Sequence, residues 1–404
     1  MTPEIKQRIE QIRRGEVPEG YVKKRKVVIP QQWGLPQIKD IASISSGSTP
    51  NRNNSEYWNG NIAWVTTGEL SSGHVNHTSE LITVKAVKET KMRIYPQGTL
   101  LMAMYGQGKT RGTVAILEID AAVNQACAAI TVKDGKSKFL FYQLKNSYQD
   151  IRKLSNTGNQ ENLNADIIKT YQVPWAPDEE QERISTILTT QDKVIELKEK
   201  QLTGKQRQKK YLMQQLLTGK KRLPGFAFEV EKTNIKAIST YSVSTISQTM
   251  LESYEGKQLY PVFNANSIAG HVDFYENECP YISIIKDGAG IGRVRLCEAK
   301  SSTIGTMGCI HARKGISIIF LYYLLEQVDF NKYSNGSTIP HLYYKDYSCE
   351  KVRIPDIKEQ AAIAEVLSTA DREIELLQQD IEQEKQKKKA LMQLLLMGIV
   401  RVKI

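Results

Sequence analysis

Two stretches of the chain place mainly apolar residues, interrupted by a few polar ones, at alternating spacings of four and three. In the first the positions are Ile184, Leu188, Gln191, Ile195, Lys198, Leu202, Lys205, Lys209, Leu212 and Leu216. In the second they are Ile363, Leu367, Ala370, Ile374, Leu377, Ile381, Glu384, Lys388, Leu391 and Leu395. This spacing lines up one face of a helix and marks a coiled-coil seam. Further apolar residues, Ile187, Val194 and Val366 among them, widen the stripe as packing against other surfaces requires. At ~1.5 Å per residue, about 38 residues give each helix a length on the order of 55 to 60 Å. Gly204 is a point where the first is expected to bend or loosen. Gln191, Lys198, Lys205 and Lys209 make the seam too polar for a self-sufficient homodimeric zipper, so the two helices are expected to pair within one chain and antiparallel.

The two stretches are copies. Residues 180–222 align without gaps on residues 359–401, with about 18 identities in 43 positions. The region ahead of each helix repeats as well: GQGKTRGTV, Gly106 to Val114, meets DGAGIGRV, Asp287 to Val294, so that Gly108 faces Gly288 and Gly112 faces Gly292. A period near 180 residues predicts globular unit, helix, globular unit, helix. If the second helix runs back along the first, the two units sit at opposite ends of a rod, related by an approximate two-fold axis.

Strand-like runs fill both units: IAWVTT, TLLMAMY and TVAILEI in the first, YISIIKD and STIGTMGCI in the second. With polar, Gly-rich loops and at least one helix in each, the fold class is α+β. The longest apolar run, Ile316 to Leu325, is too short to span a bilayer and reads as a buried helix. The opening residues are charged and helical in pattern rather than signal-like.

The formal charge of +11 points to a polyanionic partner. Basic clusters at Lys23 to Lys26, Lys205 to Lys210, Lys220 to Arg222 and Lys385 to Lys389 are candidates for holding phosphates. Several loops carry side chains suited to base edges, since Arg prefers guanine O6 and N7 while Asn and Gln bridge adenine N6 and N7. Candidate DNA-binding residues are Asn51, Arg52 and Asn53; Lys109 and Arg111; Asn159, Gln160 and Asn162; and, in the second unit, Lys286, Arg293, Ser337, Thr338 and His341. Five cysteines without a CxxC pair fit free thiols in a reducing cytoplasm. His74 and His77 lack clear further ligands, so no metal site is expected there.

Catalytic patterns are missing. The GKT of AMYGQGKTRG does not complete a P-loop: Ala103 stands where the first glycine belongs, and TVAILEI follows where a helix should start. The second copy keeps the glycines and loses the lysine, which fits a tight turn rather than phosphate chemistry. No GxGxxG cofactor loop, N/D-P-P-Y/F element or nuclease cluster stands out, so the chain is expected to be a non-catalytic reader that binds no cofactor of its own.

Residues 29–70 (with SGSTP and EYWNG), 172–188, 212–226 and 352–367, together with the repeat, resemble the DNA-specificity subunits of type I restriction-modification systems. The resemblance implies an N-terminal helix in 1–20, target-recognition domains at 21–177 and 223–355, and spacer helices at 178–222 and 356–404. It implies a bipartite double-stranded DNA target, two modification subunits that carry S-adenosylmethionine, and motor-nuclease subunits for restriction. The second domain departs from the SGSTP and EYWNG signatures. A competing expectation is a coiled-coil scaffold whose globular ends bind proteins; another is a nucleotide-dependent enzyme built on GKT.

Overall fold

The computed structural model describes residues 2–106, 108–133, 135–154, 162–226, 231–288, 290–336 and 340–402. The chain divides into two compact units, residues 1–197 with 381–404, and residues 198–380.

The first unit is built on a five-stranded sheet in the order Ala42–Ser46, Cys127–Val132, Leu100–Ala103, Val114–Leu117, His74–Val75. All neighbours are antiparallel except the last pair. Leu100–Ala103 and Val114–Leu117 are buried at every position, which is why they read as unbroken apolar runs rather than as alternation. A three-stranded sheet of Glu80–Ile82, Trp58–Val65 and Ala121–Val123 stands beside it. Helix Ser137–Asn146 covers the larger sheet with Phe139, Leu140 and Leu144, and Ile29, Trp33, Leu188, Leu395 and Leu396 complete the same core. Helix Pro3–Arg13 has no buried residue; Arg8 donates to the carbonyl of Ile399 at 2.6 Å, and Tyr21 to that of Gly398 at 2.7 Å.

The second unit repeats the plan. Its four-stranded antiparallel sheet runs Ser239–Val243, Met307–Ala312, Tyr281–Ile285, Val294–Cys297, with a three-stranded sheet of Ile268–Val272, Tyr260–Phe263 and Ser302–Thr303. The parallel pairing of Trp58–Val65 with Ala121–Val123 recurs as Tyr260–Phe263 with Ser302–Thr303. The apolar run at 316–325 forms helix Ile318–Glu326, started by the Ser317 hydroxyl, which accepts the Phe320 N–H at 3.4 Å; Phe320, Leu321, Leu324 and Leu325 are buried.

Two long helices, Asp178–Leu216 and Ile357–Leu396, run through these units without interruption; Gly204 lies inside the first. Within each unit they lie antiparallel, and the polar seam positions find partners across the seam. In the first unit Gln191 donates to Glu384 at 2.6 Å, and Lys388 pairs with Asp192. In the second, Lys198 meets Asp380 at 2.7 Å, Lys205 meets Glu373 at 2.7 Å and Lys209 meets Asp371 at 2.6 Å. Three lysines of the basic clusters, Lys205, Lys209 and Lys388, thus serve the helix pair, each bound to a carboxylate rather than presented to phosphate.

The same joint occurs in both units. In the first, Glu180 is fully buried in the opening turn of its helix and accepts from Arg401 Nε at 2.7 Å, Arg401 Nη2 at 2.9 Å and Trp33 Nε1 at 2.9 Å. In the second, Glu359 accepts from Arg222 Nε at 2.7 Å and Nη2 at 2.5 Å. Farther along, Tyr142 donates to Asp192 at 2.8 Å, and Tyr323 to Asp371 at 2.7 Å. The cations of Lys388 and Lys209 lie 5.6 and 5.3 Å from those two tyrosine rings.

Candidate nucleic-acid interface

Each unit carries a Gly-rich turn between two antiparallel strands. In the first it joins Leu100–Ala103 to Val114–Leu117, with Gly106, Gly108 and Gly112 at φ of 127°, 62° and 81°. Those angles suit glycine and clash with a Cβ, so the glycines shared by the two copies are a backbone requirement. A strand follows Thr110, as expected for a turn and not for a P-loop. Two side chains of helix Tyr148–Lys153 clamp the turn from behind: Tyr148 donates to the Lys109 carbonyl at 2.6 Å, and Arg152 to the Arg111 carbonyl at 2.8 Å. Lys109 is exposed, whereas Arg111 is buried, 7% exposed, and faces into the unit. Half-buried Asn162 lies beside the turn, because the Leu163 N–H donates to the Met104 carbonyl at 2.9 Å.

The second unit reproduces this tie. Leu342 N–H donates to the Lys286 carbonyl at 2.8 Å, and Gly288 N–H to that of Pro340 at 3.0 Å. Three side chains meet here: His341 Nδ1 is 2.7 Å from Asp287 Oδ1, and Lys286 Nζ is 3.2 Å from Asp287 Oδ2. Burial pushes the Asp287 carboxyl up, but hydrogen bonds from His341 and Lys286 outweigh it and hold the group below its ordinary value. Arg293 reaches Asn266 Oδ1 at 3.5 Å. The structure thus brings Lys286 and His341 together and sets Arg293 on the far side of the turn, against the 264–267 loop.

Asn51, Arg52 and Asn53 form a separate cluster in the first unit. The Asn51 side chain accepts the Asn53 N–H at 3.0 Å, closing a tight turn that leaves all three residues exposed. Arg52 stacks over Trp58 at 4.2 Å and grips Glu80 with both terminal nitrogens, Nη2 at 3.0 Å from Oε2. Trp58 and Trp64 meet edge to face with ring centroids 5.2 Å apart because the strand is irregular between Trp58 and Ile62, both of which pair with Ile82. A regular strand would hold residues six apart on the order of 20 Å from one another, so nothing in the sequence signalled this platform. Glu80, Tyr148 and Arg152 shape these loops and were not singled out from the sequence. Asn159, Gln160, Ser337 and Thr338 lie outside the described residues.

Among the described residues no helix is long and apolar enough to cross a membrane, and no group of three or more His, Cys, Asp or Glu could hold a metal ion.

Comparison with known proteins agrees with the duplicated plan. The type I restriction modification DNA specificity domain matches the chain twice, over residues 30–204 and 227–386. The MjaIX specificity subunit of Methanocaldococcus jannaschii is 35% identical over 179 residues, 43% of this chain and 41% of that protein. The EcoprrI specificity subunit of Escherichia coli is 24% identical over 87% of this chain and 90% of its own length. Among solved structures, the S subunit of a type I restriction-modification system from M. genitalium shares the fold with a TM-score of 0.61 at 16% identity, covering 93% of this chain and 98% of that one. The chain belongs to the family of type I restriction-modification DNA specificity subunits.

Proposed function

We propose that this chain reads a bipartite DNA target, one half per unit, and directs adenine methylation and restriction performed by partner subunits. Two modification subunits carry S-adenosylmethionine and the methyl-transfer chemistry; motor-nuclease subunits join them for cleavage. The chain itself contributes no catalytic group. Readers on a spacer touch base edges only at the two ends of the target, so the base pairs between count by number and not by identity. Linking the readers also makes the second contact intramolecular, so that two modest affinities combine into one high one.

The observation that carries the reading is a surface stripe present twice. Thr190, Lys193 and Leu197 are exposed at spacings of three and four on the first long helix, and Thr369, Arg372 and Leu376 hold the equivalent positions on the second. Leu197 is 55% and Leu376 59% exposed. Packing within the described chain gives no reason to keep two exposed leucines in register between the copies. One partner bound twice, in equivalent fashion, does.

The test is methylation by the assembled complex. Chain and modification partner together are expected to methylate adenine in a split site, and exchanging residues of one unit is expected to change one half of that site. Methylation by the isolated chain, or salt-insensitive binding with no preference among duplexes, would contradict the proposal; the second result would favour a protein-binding scaffold.

A further inference from the structure

We infer that Arg52 is a positioning residue, a strap that holds the 48–57 loop of the first unit in its reading shape, and that it does not itself touch DNA. The inference rests on the proposal that this unit reads DNA.

One face and the forked edge of the Arg52 guanidinium are accounted for. One face covers Trp58 at 4.2 Å, with Trp64 at 5.1 Å, and the fork of terminal nitrogens takes both oxygens of Glu80. A carboxylate offers the same pair of acceptors that a phosphate, or guanine O6 and N7, would offer, so the bidentate valence of this arginine is spent inside the protein. Swinging it toward DNA would also uncover the Glu80 charge in front of a polyanion. Hydrogen bonds from Arg52 hold the Glu80 carboxyl below its ordinary value, so the pair stays ionised throughout the neutral range.

The parts gripped by this strap are the parts that fix the loop. Trp58 Nε1 donates to the Asn51 carbonyl at 3.2 Å, and Trp64 Nε1 to the Ser48 carbonyl at 3.1 Å. The two indoles therefore hold the loop backbone from below while Arg52 clamps the upper ring and ties it to strand Glu80–Ile82. At the far end Asn54 caps Glu56 N–H at 3.1 Å, and Thr83 donates to the Glu56 carbonyl at 2.8 Å. Asn51 and Asn53, flanking the strap, remain exposed on a backbone that cannot slide. In the second unit the corresponding connection carries helix Gln248–Glu252 and a Tyr254–Asp273 hydrogen bond, so among the described residues the strap belongs to the first unit alone.

A double-mutant cycle in the full-length chain, assembled with its modification partner, tests this. R52A and E80Q are each expected to weaken binding of the cognate duplex roughly tenfold, the worth of one surface ion pair with one cation–π contact. Discrimination should relax in one half of the target only, R52A/E80Q should be no worse than either single variant, and R52K, which can neither stack flat nor grip bidentately, should not rescue. In the free chain, amide exchange at residues 49–55 should quicken in R52A and E80Q alike while the melting temperature holds. The strap is overturned if R52A lowers the slope of log affinity against log salt by about one contact, or if E80Q, which releases the arginine, tightens binding. Unchanged amide exchange in both variants overturns it without DNA. A wild-type complex that fails to discriminate between duplexes defeats instead the underlying proposal that the unit reads DNA.

Discussion

Replacing Glu180 by alanine removes the acceptor at the centre of the first joint. Glu180 is fully buried and receives two hydrogen bonds from Arg401 and one from the Trp33 indole. Deleting one partner of a buried ion pair costs about 3–5 kcal/mol, because the remaining charge stays uncompensated. Here the Arg401 side chain is 33% exposed and recovers part of that from water, while the buried Trp33 N–H is left without an acceptor, at about 1–3 kcal/mol. A net loss of about 3 kcal/mol follows. The second joint provides an internal control: Glu359 also binds its arginine through two nitrogens but receives no indole, and the Arg222 side chain is 27% exposed. E359A should therefore cost about 1 kcal/mol less. Urea titrations followed by far-ultraviolet circular dichroism, which reports on both units, measure both, and at slopes of about 1–3 kcal/mol/M the E180A midpoint should fall by at least about 1 M. Losses below about 1 kcal/mol for E180A, or a larger loss for E359A, would refute the argument that burial and the indole donor set the strength of the joint.

Thiol labelling at pH 8 should modify Cys279 and Cys349, which are exposed, and spare Cys127, Cys297 and Cys309, with all five reacting after denaturation. Burial pushes the Cys127 thiol up to about 12 and that of Cys309 to about 11, and raises Cys297, so the nucleophilic thiolate is scarce as well as shielded. Leu197→Glu and Leu376→Glu should leave unfolding within about 0.5 kcal/mol of the parent, since both side chains are exposed; each should remove one modification subunit in native mass measurements, and the double variant both. Gly292→Ala should cost about 2–4 kcal/mol in denaturant unfolding, because φ is +79° and a Cβ would lie 2.4 Å from that of Phe330. Gly108→Ala, at φ +62° in open space, should cost about 1 kcal/mol, and equal losses at the two glycines would contradict this account.

What could be read from the sequence was whatever repeats with a short period. The four-and-three stripe foretold two long helices, and the apolar runs around GKT foretold two strands with a turn. Both are local: period and burial are set by the same consecutive residues. The partners of the polar seam positions were invisible, since nothing near Lys209 in the chain names Asp371 as its mate. Long-range choices of this kind also governed the loops. Arg111 looked like a base reader beside Lys109, yet its side chain is buried; Arg52 looked free, yet its fork is filled by a glutamate 28 residues away. The joint of Glu180 with Arg401 spans 221 residues, and the only hint of it was that both positions recur, 179 residues on and 179 residues back, as Glu359 and Arg222.

The first unit draws on both ends of the chain, residues 1–197 and 381–404, whereas the second is one continuous segment. During synthesis the first unit therefore emerges early and lacks Met392, Leu395 and Leu396, which are part of its core. At ~5–20 residues per second, translation of the remaining half takes roughly 10–40 s, during which the socket of Trp33 and Leu188 stands open while the second unit is being completed. A nascent chain of this design depends on residues 381–404 to bury surface made in its first half, so truncation ahead of Met392 should expose apolar surface around Trp33 and Leu188.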